Sequence, residues 1–362
     1  MRESLTLAPG ASRIARIALL ALALAGGFAH GQSRPDAREI YLHEGPDRER
    51  LLVEGAKKEG SVVLYSTLTV ADSKALSDAF QRKYGIPVMS WRGGSEKIVQ
   101  RAITEARAGR HDADVFEMNG PQMEILYREK LLEEFRSPAF ADIPAAAFPP
   151  HRHYVADRFA FYVMAFNTRL VKPEEAPRTY EDALDPKWRG KIALEATDAV
   201  WFAAVVKAMG EERGLAYFRK LAAMKPQMRT GHILLAELVA AGEVPLTLTA
   251  YNNNVETLKE KGAPIEWRAL QPAFGRPSSI GLAKRAAHPH AALLFVDFVL
   301  SREGQEILRK ANRVPSSRAV ESPLNRFDYR LIDPAIVLDE WEKWSRLWST
   351  LFLEGRDLKP ER

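Results

Sequence analysis

Ser61-Val62-Val63-Leu64-Tyr65-Ser66 is a short apolar run rich in β-branched residues, the composition of a strand buried on both faces. Directly after it, Ala75, Leu76, Ala79 and Phe80 recur at helical spacing and stop at Tyr84-Gly85, where glycine can close a helix in the left-handed region. The two patterns then repeat. Ile86-Pro87-Val88-Met89-Ser90-Trp91 reads as a second strand, with Pro87 placing it toward a sheet edge because proline cannot donate to a ladder. A helix is expected over 95–108, with Ile98, Ala102, Ile103 and Ala106 on one face. Asp114-Val115-Phe116-Glu117-Met118 is a third strand, and a further helix begins at Pro121. Strands alternating with helices predict an α/β fold, a mostly parallel sheet covered on both faces.

Further along, Phe159-Ala160-Phe161-Tyr162-Val163-Met164-Ala165-Phe166 is a long aromatic strand able to cross into a second region. That region holds strands at 191–194 and 245–250 and helices over 200–209, 212–224 and 255–261, and Ile265-Glu266-Trp267-Arg268 begins the return crossing. Helices over 289–300 and 303–310 follow. Trp341, Trp344 and Trp348 fall on one helical face with Val337 and Phe352, which predicts a tail helix docked by core packing.

The N-terminus carries Arg2, Arg13 and Arg16, an apolar run over 17–25 and a short stretch ending Ala29-His30-Gly31, the pattern of a cleaved secretory signal peptide. Removing 1–31 from the 362 residues leaves 331, enough for two domains at about 150 residues each. It also removes three arginines and one glutamate, taking the net charge from +5 to +3. That mild excess, scattered among acidic residues, excludes a nucleic-acid partner. The chain has no cysteine, so neither disulfides nor a lipidated N-terminal Cys are expected, and the exported product is placed free in the periplasm.

Four segments, in order, resemble the type II periplasmic solute-binding proteins of ABC importers (extracellular solute-binding protein family 1), in the branch that includes ferric-ion-binding proteins. They are Ala56-Lys57-Lys58-Glu59-Gly60-Ser61-Val62-Val63-Leu64-Tyr65-Ser66, Asp112-Ala113-Asp114-Val115-Phe116-Glu117, Asp185-Pro186-Lys187-Trp188-Arg189-Gly190-Lys191-Ile192 and Ala287-His288-Pro289-His290-Ala291-Ala292. The resemblance implies two α/β lobes joined by two crossing strands, with a small solute enclosed between them by hinge closure and delivered to importer membrane subunits by a monomeric receptor. The boundaries it suggests are 32–162 with 275–362 for the first lobe, including the helical tail, and 163–274 for the second. In open parallel sheets ligands collect at the carboxyl ends of strands, where helix N-termini offer free N–H groups.

At those ends the candidate contacts are Thr67 and Thr69 after the first strand, and Arg92, Gly93, Gly94 and Ser95 after the second. Asn119 follows the third, Asp198 and Trp201 open a helix of the second region, and Tyr251, Asn252 and Asn253 end its last strand. Arg92 can pair with a carboxylate or phosphate, the two glycines allow close backbone approach, and Ser95 can cap the helix. Asp198 is either a cap or a contact, and Trp201 either packs or contacts. Arg276-Pro277-Ser278-Ser279 could reach the cleft or brace the hinge.

The resemblance implies a His, a Glu and two adjacent tyrosines for ferric iron. The matching positions here are Thr69, Asn119 and a segment with the single Tyr251. One phenolate with neutral Thr and Asn is a poor donor set for a hard ion. No metal ligand and no cofactor is therefore expected, and the solute is read as small, organic and anionic, with ferric iron or a sensor role as alternatives. His151 and His153 beside Pro149 and Pro150 are read as surface histidines. No G-x-S-x-G, H-E-x-x-H or phosphate loop is present to support an enzyme.

Overall fold

The computed structural model describes residues 37–354; the expected signal peptide, 1–31, lies outside them. The strands are β1 (Val62–Ser66), β2 (Val88–Arg92), β3 (Val115–Asn119), β4 (Leu132–Glu133), β5 (Tyr154–Asn167), β6 (Ile192–Glu195), β7 (Gln227–Arg229), β8 (Leu246–Tyr251), β9 (Ile265–Arg268), β10 (Ala273–Ala283), β11 (Val314–Pro315) and β12 (Tyr329–Leu331). The α-helices are α1 (Ala37–Leu42), α2 (Arg48–Glu59), α3 (Val70–Tyr84), α4 (Ser95–Arg107), α5 (Gly120–Arg128), α6 (Ala199–Met209), α7 (Glu211–Ala223), α8 (His232–Ala241), α9 (Asn252–Glu260), α10 (Pro289–Leu300), α11 (Arg302–Lys310), α12 (Pro334–Asp339) and α13 (Trp341–Trp348).

The main sheet runs in the order β2-β1-β3-β10-β5-β8-β6-β7. At one end β2, β1 and β3 are parallel, and at the other β8, β6 and β7 are parallel. Between them β10 and β5 run antiparallel to their neighbours. β2 is the edge strand that Pro87 predicted, and Gly85 closes α3 in the left-handed region at φ 77°.

β5 joins the two halves. Its first part pairs with β10 and β11 and its second with β8 and β9. Because side chains alternate along a strand, Phe159, Phe161, Val163 and Ala165 enter one core while Tyr162, Met164 and Phe166 enter another. A third cluster, built on Tyr65, Phe116, Met118 and Met123, fills the opposite face of the first half.

One register shift falls where Ser278 of β10 faces Arg158 and Ser279 faces Ala156, so Asp157 is the extra residue of a bulge. Arg158 Nη1 bonds both Asp157 Oδ2 and Glu117 Oε1 of β3 at 2.7 Å. The Glu117 and Asp157 side chains are 1% and 0% exposed, so this ion triad ties β5 to β3 in a water-poor interior.

The C-terminal tail crosses from one half to the other. Pro334 of α12 lies against Gly120 of α5, where an added Cβ would fall 2.6 Å from its ring, and Asp339 pairs with Arg128 at 2.6 Å. Trp344 and Trp348 of α13 are buried against Phe202, and Trp201 stands edge-on to Trp348. The docking face expected from sequence thus exists, with Trp341, 45% exposed, left outside it. The tail's aromatic face packs with α6 and α7, the helices between β6 and β7, rather than with the half that chain order suggested.

Trp348→Ala should cost about 3–5 kcal/mol in urea unfolding, the range for large core truncations, whereas Trp341→Ala should change stability by less than about 0.5 kcal/mol. Arg158→Ala, which leaves two buried carboxylates uncompensated, should cost about 3–5 kcal/mol in the same measurement.

Candidate functional site

The loop that ends β1 is held by Glu117 of β3. Its carboxylate accepts from the Ser66 hydroxyl at 2.7 Å, the Thr67 and Leu68 backbone N–H groups at 3.0 and 3.1 Å, and the Thr67 hydroxyl at 3.2 Å. Thr69 accepts from the Asp72 N–H at 3.2 Å and so caps α3. Thr67 and Thr69 therefore shape the loop with their hydroxyls.

Arg92 differs from its sequence reading. The side chain is exposed, and its Nε donates to the Leu68 carbonyl at 2.7 Å, bracing the same loop. Gly93 is required by a neighbouring side chain, since a Cβ there would meet the Trp91 ring at 2.9 Å; Gly94 is the N-cap of α4, where a Cβ would meet only the Glu96 carboxylate, at 3.8 Å. Ser95 does not cap α4. It is buried, and its hydroxyl accepts from the Asn119 N–H at 3.4 Å, bringing two candidate positions together. Asn119 is the N-cap of α5 and makes no side-chain capping bond.

The second half gathers charge. Glu195 ends β6, Asp198 precedes α6, His232 begins α8 and Tyr251 ends β8. All four stand at the carboxyl ends of the parallel triplet, because each βα turn reverses the chain there. Glu195 Oε2 accepts from the Thr197 N–H and hydroxyl, both at 2.6 Å, and Oε1 from the Gly231 N–H at 2.9 Å. Asp198 Oδ1 lies 3.3 Å from His232 Nε2. Among the described residues its Oδ2 is buried without a hydrogen-bond partner, and its side chain makes no capping bond. Burial pushes the Asp198 carboxyl above its ordinary range, while His232 and Arg276 draw it back.

His232 Nδ1 faces the Thr249 carbonyl at 3.0 Å, which fixes the proton on that nitrogen. The Tyr251 ring stacks on the imidazole at 3.8 Å, and its hydroxyl donates to that of Tyr162 at 3.5 Å. Burial pushes both phenols up, so phenolates are disfavoured here.

Arg276 enters from β10, opposite Ala160 of β5. Its guanidinium lies over the Tyr251 ring, 5.0 Å from the centroid. Among the described residues its buried Nε has no acceptor and it forms no ion pair, although Asp198 and both phenols are near enough to stabilise its charge.

The remaining sequence candidates are structural. Trp201 is fully buried beside Phe218, Tyr180 and Trp348, which gives it the packing role. Asn252, also fully buried, donates to the Leu324 carbonyl at 2.7 Å and accepts from the Phe161 and Asn253 N–H groups at 3.3 and 2.9 Å. The Asn253 amide lies against the Arg313 guanidinium and Asn254. His151 is not a surface residue: it stacks on Tyr127 at 3.4 Å and meets Glu124 at 3.1 Å. Sequence reasoning missed His232 and Glu195, and left Arg276 undecided.

Solved structures share this architecture. Iron-bound HitA from Pseudomonas aeruginosa, 24% identical, superposes with a TM-score of 0.69 over 80% of this chain and 99% of its own. AfuA from Actinobacillus pleuropneumoniae, solved with exogenous fructose-6-phosphate bound, gives 24% identity and 0.69 over 81% and 99%. The fold is that of the two-lobed type II periplasmic binding proteins. In sequence, the Fe(3+)-binding periplasmic protein of Serratia marcescens is 26% identical over 273 residues, 72% of this chain and 79% of that protein. Residues 113–330, from the third strand through β12, match the bacterial extracellular solute-binding proteins, and the chain belongs to that family.

Proposed function

We propose that this protein is the periplasmic receptor of an ABC importer and that it encloses a small organic anion between its lobes, anchored by Arg276. The lobes are taken as 32–162 with 275–362, and 163–274, with the tail packing across onto the second. The membership of the family supports the receptor role, and the pattern at 1–31 supports export. The receptor acts as a monomer that hands its solute to membrane subunits, and it catalyses nothing.

The observation that carries the anion is the Arg276 guanidinium, held over Tyr251 at the join of the halves with no acceptor for its buried Nε among the described residues. A buried N–H donor without an acceptor is costly, and an anionic oxygen from the solute would remove that cost on binding. A charge-assisted hydrogen bond of this kind contributes about 1.5–3 kcal/mol. The neighbouring neutral groups, Ser95, Asn119 and Thr67, and the open N-terminus of α4 at Gly94 supply polar contacts from the first lobe. Closure of the lobes over the solute shifts the population toward the shape a transporter recognises.

Relatives named for ferric iron make that ion the required control. Against it here stand two buried phenols whose ionisation burial opposes.

Native mass spectrometry of freshly purified protein, followed by thermal-shift titration with carboxylates, phosphate esters, neutral sugars and ferric iron, tests the reading. Anions should raise the melting temperature, and stabilisation by neutral sugars alone would overturn the proposal. Arg276→Met should weaken the best anion at least about tenfold, while the ligand-free variant stays within about 1 kcal/mol of the parent, because the contact of the guanidinium with the Tyr251 ring is what the fold loses. An unchanged anion affinity would remove Arg276 from the site.

A further inference from the structure

We infer that Glu195, Asp198 and His232 form a binding site for a divalent transition-metal ion on the second lobe, separate from the anion anchor and not dependent on it. Oxygen atoms of the two carboxylates and a ring nitrogen of the histidine lie within 4.8 Å of one another. The pair with a stated separation, His232 Nε2 and Asp198 Oδ1 at 3.3 Å, has the spacing of neighbouring ligands about 2.0–2.1 Å from one tetrahedral ion.

Three features agree with this use. Asp198 is 3% exposed, yet its Oδ2 has no hydrogen-bond partner among the described residues, although buried carboxylate oxygens ordinarily find one. Next, the Nδ1–H of His232 is directed to the Thr249 carbonyl at 3.0 Å, the outer contact that fixes the tautomer and turns the other nitrogen toward a metal. Finally, Glu195 is held rigid by the Thr197 and Gly231 groups, and its Oε1, which accepts only the Gly231 N–H, keeps a second lone pair for coordination.

The mixed imidazole and carboxylate set suits zinc, manganese, ferrous iron or cobalt better than calcium or magnesium, which take oxygen alone. Three protein ligands leave at least one position open.

The metal alone tests the site. Metal-free protein is titrated with Co²⁺ by visible absorption and with Zn²⁺ by calorimetry, without any organic solute. The expected result is one equivalent bound, with ligand-field bands of a low-coordinate cobalt, and more than about 100-fold weaker binding in Asp198→Asn and in His232→Gln, beyond the loss typical of disturbing an outer contact. Arg276→Met should bind the metal as the parent does, so failure of the anion anchor and failure of the metal site give different results. His232 begins its helix and is partly exposed, so His232→Gln serves if Asp198→Asn does not fold. Binding by the parent no tighter than millimolar, or equal binding by parent and the folded variants, would overturn the inference and leave the three side chains as an ion-paired turn.

Discussion

The structure depends on one strand serving two sheets. β5 supplies hydrogen bonds to β10 and β11 along its first part and to β8 and β9 along its second. A strand can do this only if both of its faces are apolar, since each is covered by a different core. The 14 residues from Tyr154 to Asn167 meet that demand almost without interruption; the exceptions inside it are Asp157 and Arg158. The bulge at Asp157 lets both charged side chains turn toward Glu117, and Glu117 in turn organises the loop after β1. The polar floor of the first half is therefore an outcome of how the shared strand manages its two charges.

Much of this was legible because the signals were local. A β-branched run, a helical repeat and a glycine stop recur for β1–α3 and β2–α4, and Pro87 marked the sheet edge. What escaped notice was set by tertiary context. β10 is a central strand, yet it contains Pro277-Ser278-Ser279, which reads as a turn; the proline is tolerated beside the register shift at Ser278, where the ladder is already interrupted. α8 has no side-chain cap, and Gly231 precedes it at φ 104°. Its run Ile233-Leu234-Leu235-Ala236 is apolar on exposed and buried faces alike, so no helical periodicity appears.

The candidate site followed the same division. Positions at strand ends were found, because every βα turn announces itself, but side-chain roles were not. Arg92 looks free in sequence because the partner of its Nε is a backbone carbonyl 24 residues away, which no local pattern reveals. Glu195, Asp198 and His232 could not be grouped by spacing, since the histidine lies on the helix that periodicity failed to reveal and is brought in only by the parallel pairing of β6 with β7. Arg276 was ambiguous for a related reason: a strand was needed to say which way it faces.

The two lobes differ in how they leave polar groups waiting. In the first, Glu117 is saturated by donors and Arg158, so the loops above it are rigid and mainly neutral. Elsewhere buried atoms stay without a partner among the described residues: Asp157 Oδ1 and Asp297 Oδ1 in the first lobe, Arg276 Nε at the join of the halves and Asp198 Oδ2 in the second. Unsatisfied charge in a folded protein persists only where surrounding packing compels it, and here the Tyr251 and Tyr162 rings and the walls of β5 and β8 supply that packing. Such groups lower the stability of the empty state, and a partner that completes their hydrogen bonds would relieve that cost. The two differ in what they require: Arg276 Nε–H calls for an acceptor and Asp198 Oδ2 for a donor or a cation, so one ligand charge cannot satisfy both.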